Sequence, residues 1–181
     1  MNTSKNTAML VIDMINDFKF AHGKTLAEKA DKMLDSILSL KQNCVDKKIP
    51  IIYINDHYNL WKADIESILN YCHNETSSQL LDKIKPTKTD YFLIKPKHSA
   101  FYGTALDTLL QQLNVDTLIL TGIAGNICVL FTANDAYMRE YSLLVPENCI
   151  ASVDDEDNKY AMTMMKNVMN AKLYTYEKDL S

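Results

Sequence analysis

The chain has 181 residues, of which 47% are hydrophobic, 23% charged and 9% aromatic, and its formal net charge is -4. That suits a single soluble domain over residues 1–181, able to bury about 70% of the surface its unfolded chain exposes. Mild acidity with scattered lysines leaves no basic stripe for nucleic acid, and no apolar run approaches the roughly 20 residues of a membrane span. The first seven residues, Met1-Asn2-Thr3-Ser4-Lys5-Asn6-Thr7, lack the apolar core of a signal peptide, so a cytoplasmic location is expected. Cys44, Cys72, Cys128 and Cys149 lie far apart with no C-x-x-C spacing. In a reducing compartment they are expected to stay free thiols, forming neither a disulfide framework nor a cysteine zinc site.

In chain order, residues 8–12 read as a first buried strand. Leu26, Ala30, Met33, Leu34, Ile37 and Leu38 then recur at three-to-four spacing, the apolar stripe of a long helix. Residues 51–54 form the second strand. The segment 58–88 has no clear assignment beyond a short helix over 65–71, and the remainder reads as polar loop. Residues 91–94 make a third strand, and Thr104 is the N-cap expected for a helix over 105–113. Residues 118–120 and 143–145 read as strands four and five. Ser152 to Asp155 in sequence give the acidic start of a helix through Met162, Met165 and Met169, a stripe read as core packing. Residues 173–176 close the series as a sixth strand. Strands that are apolar throughout need cover on both faces, and the alternating helices supply it. The expected fold is α/β: a doubly wound, mostly parallel six-stranded sheet with helices on both faces.

In such a sheet, ligands bind beyond the carboxyl ends of the strands, near the point where strand order reverses. Asp13 follows strand one, Lys95 strand three and Cys128 strand four. Cys128 stands where a buried strand runs through a turn into a helix. The unpaired N–H groups of a helix terminus favour thiolate over thiol, so this cysteine reads as a nucleophile. Each residue also has an ordinary reading: a helix-capping acid, a surface lysine, a packed thiol. Together they match what a cysteine nucleophile needs, a proton acceptor and a positive charge.

The segments Ala8-Met9-Leu10-Val11-Ile12-Asp13-Met14-Ile15-Asn16-Asp17-Phe18, Lys95-Pro96-Lys97-His98-Ser99-Ala100-Phe101-Tyr102-Gly103-Thr104 and Thr121-Gly122-Ile123-Ala124-Gly125-Asn126-Ile127-Cys128-Val129 resemble, in order, the three signature segments of the isochorismatase-like cysteine hydrolases. These include nicotinamidases and N-carbamoyl amidohydrolases. The resemblance implies a three-layer sandwich with Asp13, Lys95 and Cys128 as a catalytic triad. It also implies a cis peptide between Ile123 and Ala124, and an oxyanion hole from the backbone N–H groups of Ala124 and Cys128. The implied reaction is hydrolysis of a C–N bond, amide or carbamoyl, of a small molecule through a thioester, with Asp13 accepting the thiol proton, protonating the departing ammonia and then activating water. No cofactor is implied, and a homo-oligomer, dimer or tetramer, is expected.

Phe18, Trp61, Phe101 and Tyr102 are the candidate pocket walls, with packing as the alternative for each. Asn55 and Asp56, ending strand two on the same edge, are candidates for substrate contact or for a strand-end turn. Nicotinamidases of the family carry an Asp-x-His element that binds a divalent metal; here Asp56 and His57 are adjacent. Neighbours in an extended segment point to opposite faces, so no metal is expected. His22, His73 and His98 read as solvated or hydrogen-bonded rather than as ligands. Two alternatives stay open: vinyl ether hydrolysis, which uses no cysteine nucleophile, and a catalytically silent binding protein of the same fold.

Overall fold

In the computed structural model, which describes residues 6–61 and 64–177, the first strand β1 (Thr7–Ile12) is buried along its whole length. A strand covered on both faces has no polar side to spare, which explains the unbroken apolar run. Its side chains alternate: Ala8, Leu10 and Ile12 enter one core, Met9 and Val11 the other. The strand β2 (Ile51–Asp56) does the same, with Ile52 and Ile54 facing the first core and Ile51 and Tyr53 the second.

The helix α1 (Gly23–Asp46) presents Leu26, Ala30, Met33, Leu34, Ile37 and Leu40 to the core it shares with Tyr53. Two shorter helices, α2 (Ile65–Cys72) and α3 (Ser78–Ile84), pack into the same core. The opposite core holds apolar side chains of α4 (Leu106–Gln112), α5 (Leu130–Met138) and α6 (Asp155–Val168). The result is three layers, with the sheet in the middle.

The expected strands appear as β1, β2, β3 (Tyr91–Lys95), β4 (Thr117–Ile123), β5 (Ser142–Pro146) and β7 (Lys172–Tyr174). A seventh, β6 (Ile150–Ala151), was not foreseen, because two residues after a tight turn carry no periodicity. The sheet order is β3-β2-β1-β4-β5-β7, with β6 paired to β4. Every pair is parallel.

The expectation of polar loop after residue 71 needs correction at α3. Its Leu80, Leu81 and Ile84 are buried, but seven residues are too few for the helical period to stand out. Residues 62 and 63 lie outside the described part. The helix start expected at Asp155 is real, while α4 begins one residue later than expected, with Ala105 rather than Thr104 as its N-cap. Thr104 Oγ1 accepts from the Leu106 N–H at 3.1 Å, and Asp154 Oδ1 accepts from the N–H groups of Glu156 and Asp157.

Among the described residues no helix is long and apolar enough to cross a membrane. The chain runs from β1 to β2 and β3 on one side, then returns to place β4 on the other. Strand order thus reverses between β1 and β4, where a parallel sheet opens a crevice.

Candidate active site

Asp13 is the first residue past β1. Its φ of 51° turns the chain sharply out of the sheet, a conformation that aspartate tolerates better than most residues. Its N–H donates to the Ile54 carbonyl at 3.0 Å, and its Oδ1 accepts from the Asp56 N–H at 2.9 Å. The carboxylate is therefore fastened to the end of β2 before any partner is considered. Lys95, the last residue of β3, lies opposite Asp56 in the ladder. Its ammonium reaches past β2 to Asp13 Oδ2 at 2.8 Å and to Cys128 Sγ at 3.6 Å.

Cys128 arrives from β4. The strand ends at Ile123, the Ile123–Ala124 peptide bond is cis, and residues Gly125–Val129 form one turn of π-helix leading into α5. The Ala124 carbonyl accepts from the N–H groups of Ile127 and Val129, at 3.0 and 3.1 Å, on either side of Cys128. Ser152 Oγ accepts from the Asn126 N–H at 3.0 Å and donates to Asn158 Oδ1, tying the turn to α6. Gly122 has a φ of 116°, and a Cβ there would lie 2.0 Å from the Ile12 carbonyl oxygen. The close approach of β4 to β1 beside Asp13 thus requires glycine.

The three groups are mostly out of water. Lys95 is fully buried and Asp13 is 5% exposed, while Cys128 is half-buried. Burial pushes the Asp13 carboxyl above its ordinary value against the pull of Lys95. Burial works to lower Lys95, but Asp13 and Cys128 together outweigh it and hold the ammonium above its usual value. Burial, then the adjacent Asp13, pushes the Cys128 thiol up, with Lys95 opposing. The net pull on the sulfur is toward the thiol form, against the pull expected from its helix-terminal position. Desolvation and a neighbouring carboxylate outweigh the terminus. Chemically the arrangement is a thiol with a base and a cation both at hand.

The other sequence candidates scatter. Phe18 is buried in the core with α1, and Phe101 lies in the opposite core, its ring tilted against that of Tyr141 and under the Arg139 guanidinium. The ring contacts of Phe101 are thus those of packing. Trp61 is 76% exposed and stacks on His57 with ring centroids 4.5 Å apart. Tyr102 is exposed. Asn55 is fully buried, so it offers substrate no surface; its Nδ2 donates to the Ile15 carbonyl at 2.5 Å. Asp56 serves the site through its backbone N–H, and its Oδ1 accepts from the Tyr58 N–H.

Asp56 and His57 make hydrogen bonds within their own turn. His57 Nδ1 accepts from the Asn59 N–H at 2.9 Å, and Asp56 Oδ1 is engaged by Tyr58. No group of three or more His, Cys, Asp or Glu side chains gathers to hold a metal ion among the described residues. His98, read from the sequence as solvated or hydrogen-bonded, touches the site: its Nδ1 lies 3.9 Å from Cys128 Sγ. Its signal was its place three residues after Lys95, in the loop that leaves β3.

The sequence profile of the Isochorismatase domain matches residues 7–177. The chain is 61% identical over 170 residues to the isochorismatase family protein YaaI of Bacillus subtilis, covering 94% of both chains. Its structure is similar to that of the nicotinamidase PncA from Bacillus subtilis, with a TM-score of 0.74 and 27% identity over 94% of this chain and 100% of that one. It is also similar to N-carbamoylsarcosine amidase from Thermoplasma acidophilum, with a TM-score of 0.73 and 26% identity over 97% of this chain and 98% of the other. The profile spans almost every described residue, and the chain belongs to the isochorismatase family.

Proposed function

We propose that this hydrolase of the isochorismatase family is a cysteine hydrolase that cleaves an amide or carbamoyl C–N bond of a small molecule through a thioester on Cys128. The observation that carries the reading is the contact of Lys95 Nζ with both Cys128 Sγ, at 3.6 Å, and Asp13 Oδ2, at 2.8 Å. The resemblance to a nicotinamidase and to an N-carbamoylsarcosine amidase supports the C–N bond as target.

Asp13 takes the thiol proton as sulfur attacks the carbonyl carbon, and Lys95 balances the negative charge on sulfur. The N–H groups of Ala124 and Cys128 receive the oxyanion, where loss of one donor typically costs about 2.7 to 4 kcal/mol of barrier. Asp13 then delivers its proton to the nitrogen as the C–N bond breaks, releasing ammonia and leaving the thioester. Water cleaves the thioester to the acid and restores the thiol. No cofactor enters these steps.

The test is ammonia release from a panel of small primary amides and carbamoyl compounds, with Cys128→Ala as the blank. Turnover is expected in the unaltered chain and none above background in the variant. Equal turnover in both removes the mechanism. The proposal includes a homo-oligomer, with Phe131, Met138, Tyr160, Met164 and Val168 as exposed apolar surface available to it on α5 and α6. Light scattering should give a multiple of the 20.6 kDa chain mass, and a monomer mass would dismiss the assembly.

A further inference from the structure

We propose that His98 is a second proton-transfer residue of this site, acting on the water that cleaves the thioester, a role that rests on the cysteine-hydrolase reading above. Two titratable groups besides Lys95 meet the sulfur, and they differ in access. Asp13 is buried, with Oδ1 held by the Asp56 N–H and Oδ2 by Lys95. His98 is exposed, and its Nδ1 approaches the same sulfur to 3.9 Å. The hydrolytic water comes from solvent, where the imidazole stands and the carboxylate does not.

The imidazole is also held in place. Its ring lies 5.6 Å from that of Phe131, which stands on α5 three residues beyond Cys128. The loop carrying it is clamped to the same helix on its next two residues. Ser99 Oγ donates to the Asp135 carboxylate, and the Ala100 N–H donates to Thr132 Oγ1 at 3.0 Å. Loop and nucleophile are therefore fixed to one element, so the Nδ1 to Sγ approach is built into the fold.

The step balances with neutral imidazole carrying its proton on Nε2. As water oxygen bonds to the acyl carbon, Nδ1 takes a water proton and the carbonyl electron pair moves to its oxygen. Collapse of the tetrahedral intermediate reforms the carbonyl and breaks the C–S bond. The proton on Nδ1 passes to the departing sulfur. Acid and thiol result, with no other reactant. Asp13 serves the first half of the cycle and His98 the second.

The test uses p-nitrophenyl acetate as acylating probe on the full chain. In the unaltered protein, a burst of p-nitrophenol and an acetyl group found on Cys128 by mass spectrometry should precede steady turnover. His98→Gln should keep the burst, accumulate the acetyl-enzyme and slow the steady rate about a hundredfold. Hydroxylamine, a nucleophile that needs no base, should restore release of the acyl group in that variant. His98→Phe, which keeps a ring against Phe131, should behave as His98→Gln does. A steady rate close to that of the unaltered chain in both variants, or loss of the burst in both, overturns the role of His98. A burst that survives in Cys128→Ala, or is absent from the unaltered chain, removes the cysteine-hydrolase reading instead.

Discussion

In the proposed mechanism Asp13 accepts a proton from a thiol that burial has made harder to ionise, and its own environment suits it to that task. Desolvation raises its pKa toward that of the group it must deprotonate, while Lys95 keeps the carboxylate available. The consequence for pH follows from the sign of the shift. Only unprotonated Asp13 acts as base, and its pKa lies above the ordinary carboxylate value of about 4, so kcat/KM should rise with pH along a limb displaced upward from that value. A rate profile whose acid limb sits at or below that value would count against Asp13 as the base. At this scale the sequence was most legible where chemistry and position coincide: Asp13 directly follows a strand, Lys95 ends one, and Cys128 stands in the turn between a strand and a helix. It was least legible for Asn55 and Asp56. Neither side chain shows its role in the sequence, since one is turned into the core and the other holds its own turn.

At the scale of elements, the passage from β4 into α5 decides the position of the sulfur. Gly122 lets β4 press against the Ile12 carbonyl, and the π turn after it sets Cys128 over the crevice. Gly122→Ala should therefore cost about 3 kcal/mol or more, from a strained φ together with a backbone clash. Denaturant unfolding measures it, and a loss below about 1 kcal/mol, the ordinary effect of a point substitution, would show that the strands part easily. The helices were readable in proportion to their length. The 24 residues of α1 repeat their apolar spacing many times over, whereas the seven of α3 fall short of two turns and the two of β6 complete no more than one period. In β6, pairing with Gly122 and Ile123 of β4 makes the strand, and that partner is distant in sequence.

The whole molecule divides its four cysteines into two kinds. Cys44, Cys72 and Cys149 are buried, while Cys128 alone among the four is half-exposed. A thiol reagent at neutral pH should modify one cysteine, Cys128, in the native chain and all four in denaturant. Several thiols reacting together before unfolding would contradict this packing. The layered architecture follows from local chemistry, because strands apolar throughout demand cover on both faces and amphipathic helices alternate with them to provide it. The amino-acid pattern by itself therefore determined the class of fold, the ends of the principal strands and the three candidate residues on which the proposed chemistry rests. Strand order was decided only by the assembled sheet, which puts β1 beside β4 and leaves β2 between Asp13 and Lys95, so that the long lysine side chain reaches across. The approach of His98 to the sulfur was decided there too, since the loop after β3 is held by Thr132 and Asp135 of α5. These contacts join residues 30 or more positions apart, and periodicity, which reports only on near neighbours along the chain, carries no trace of them.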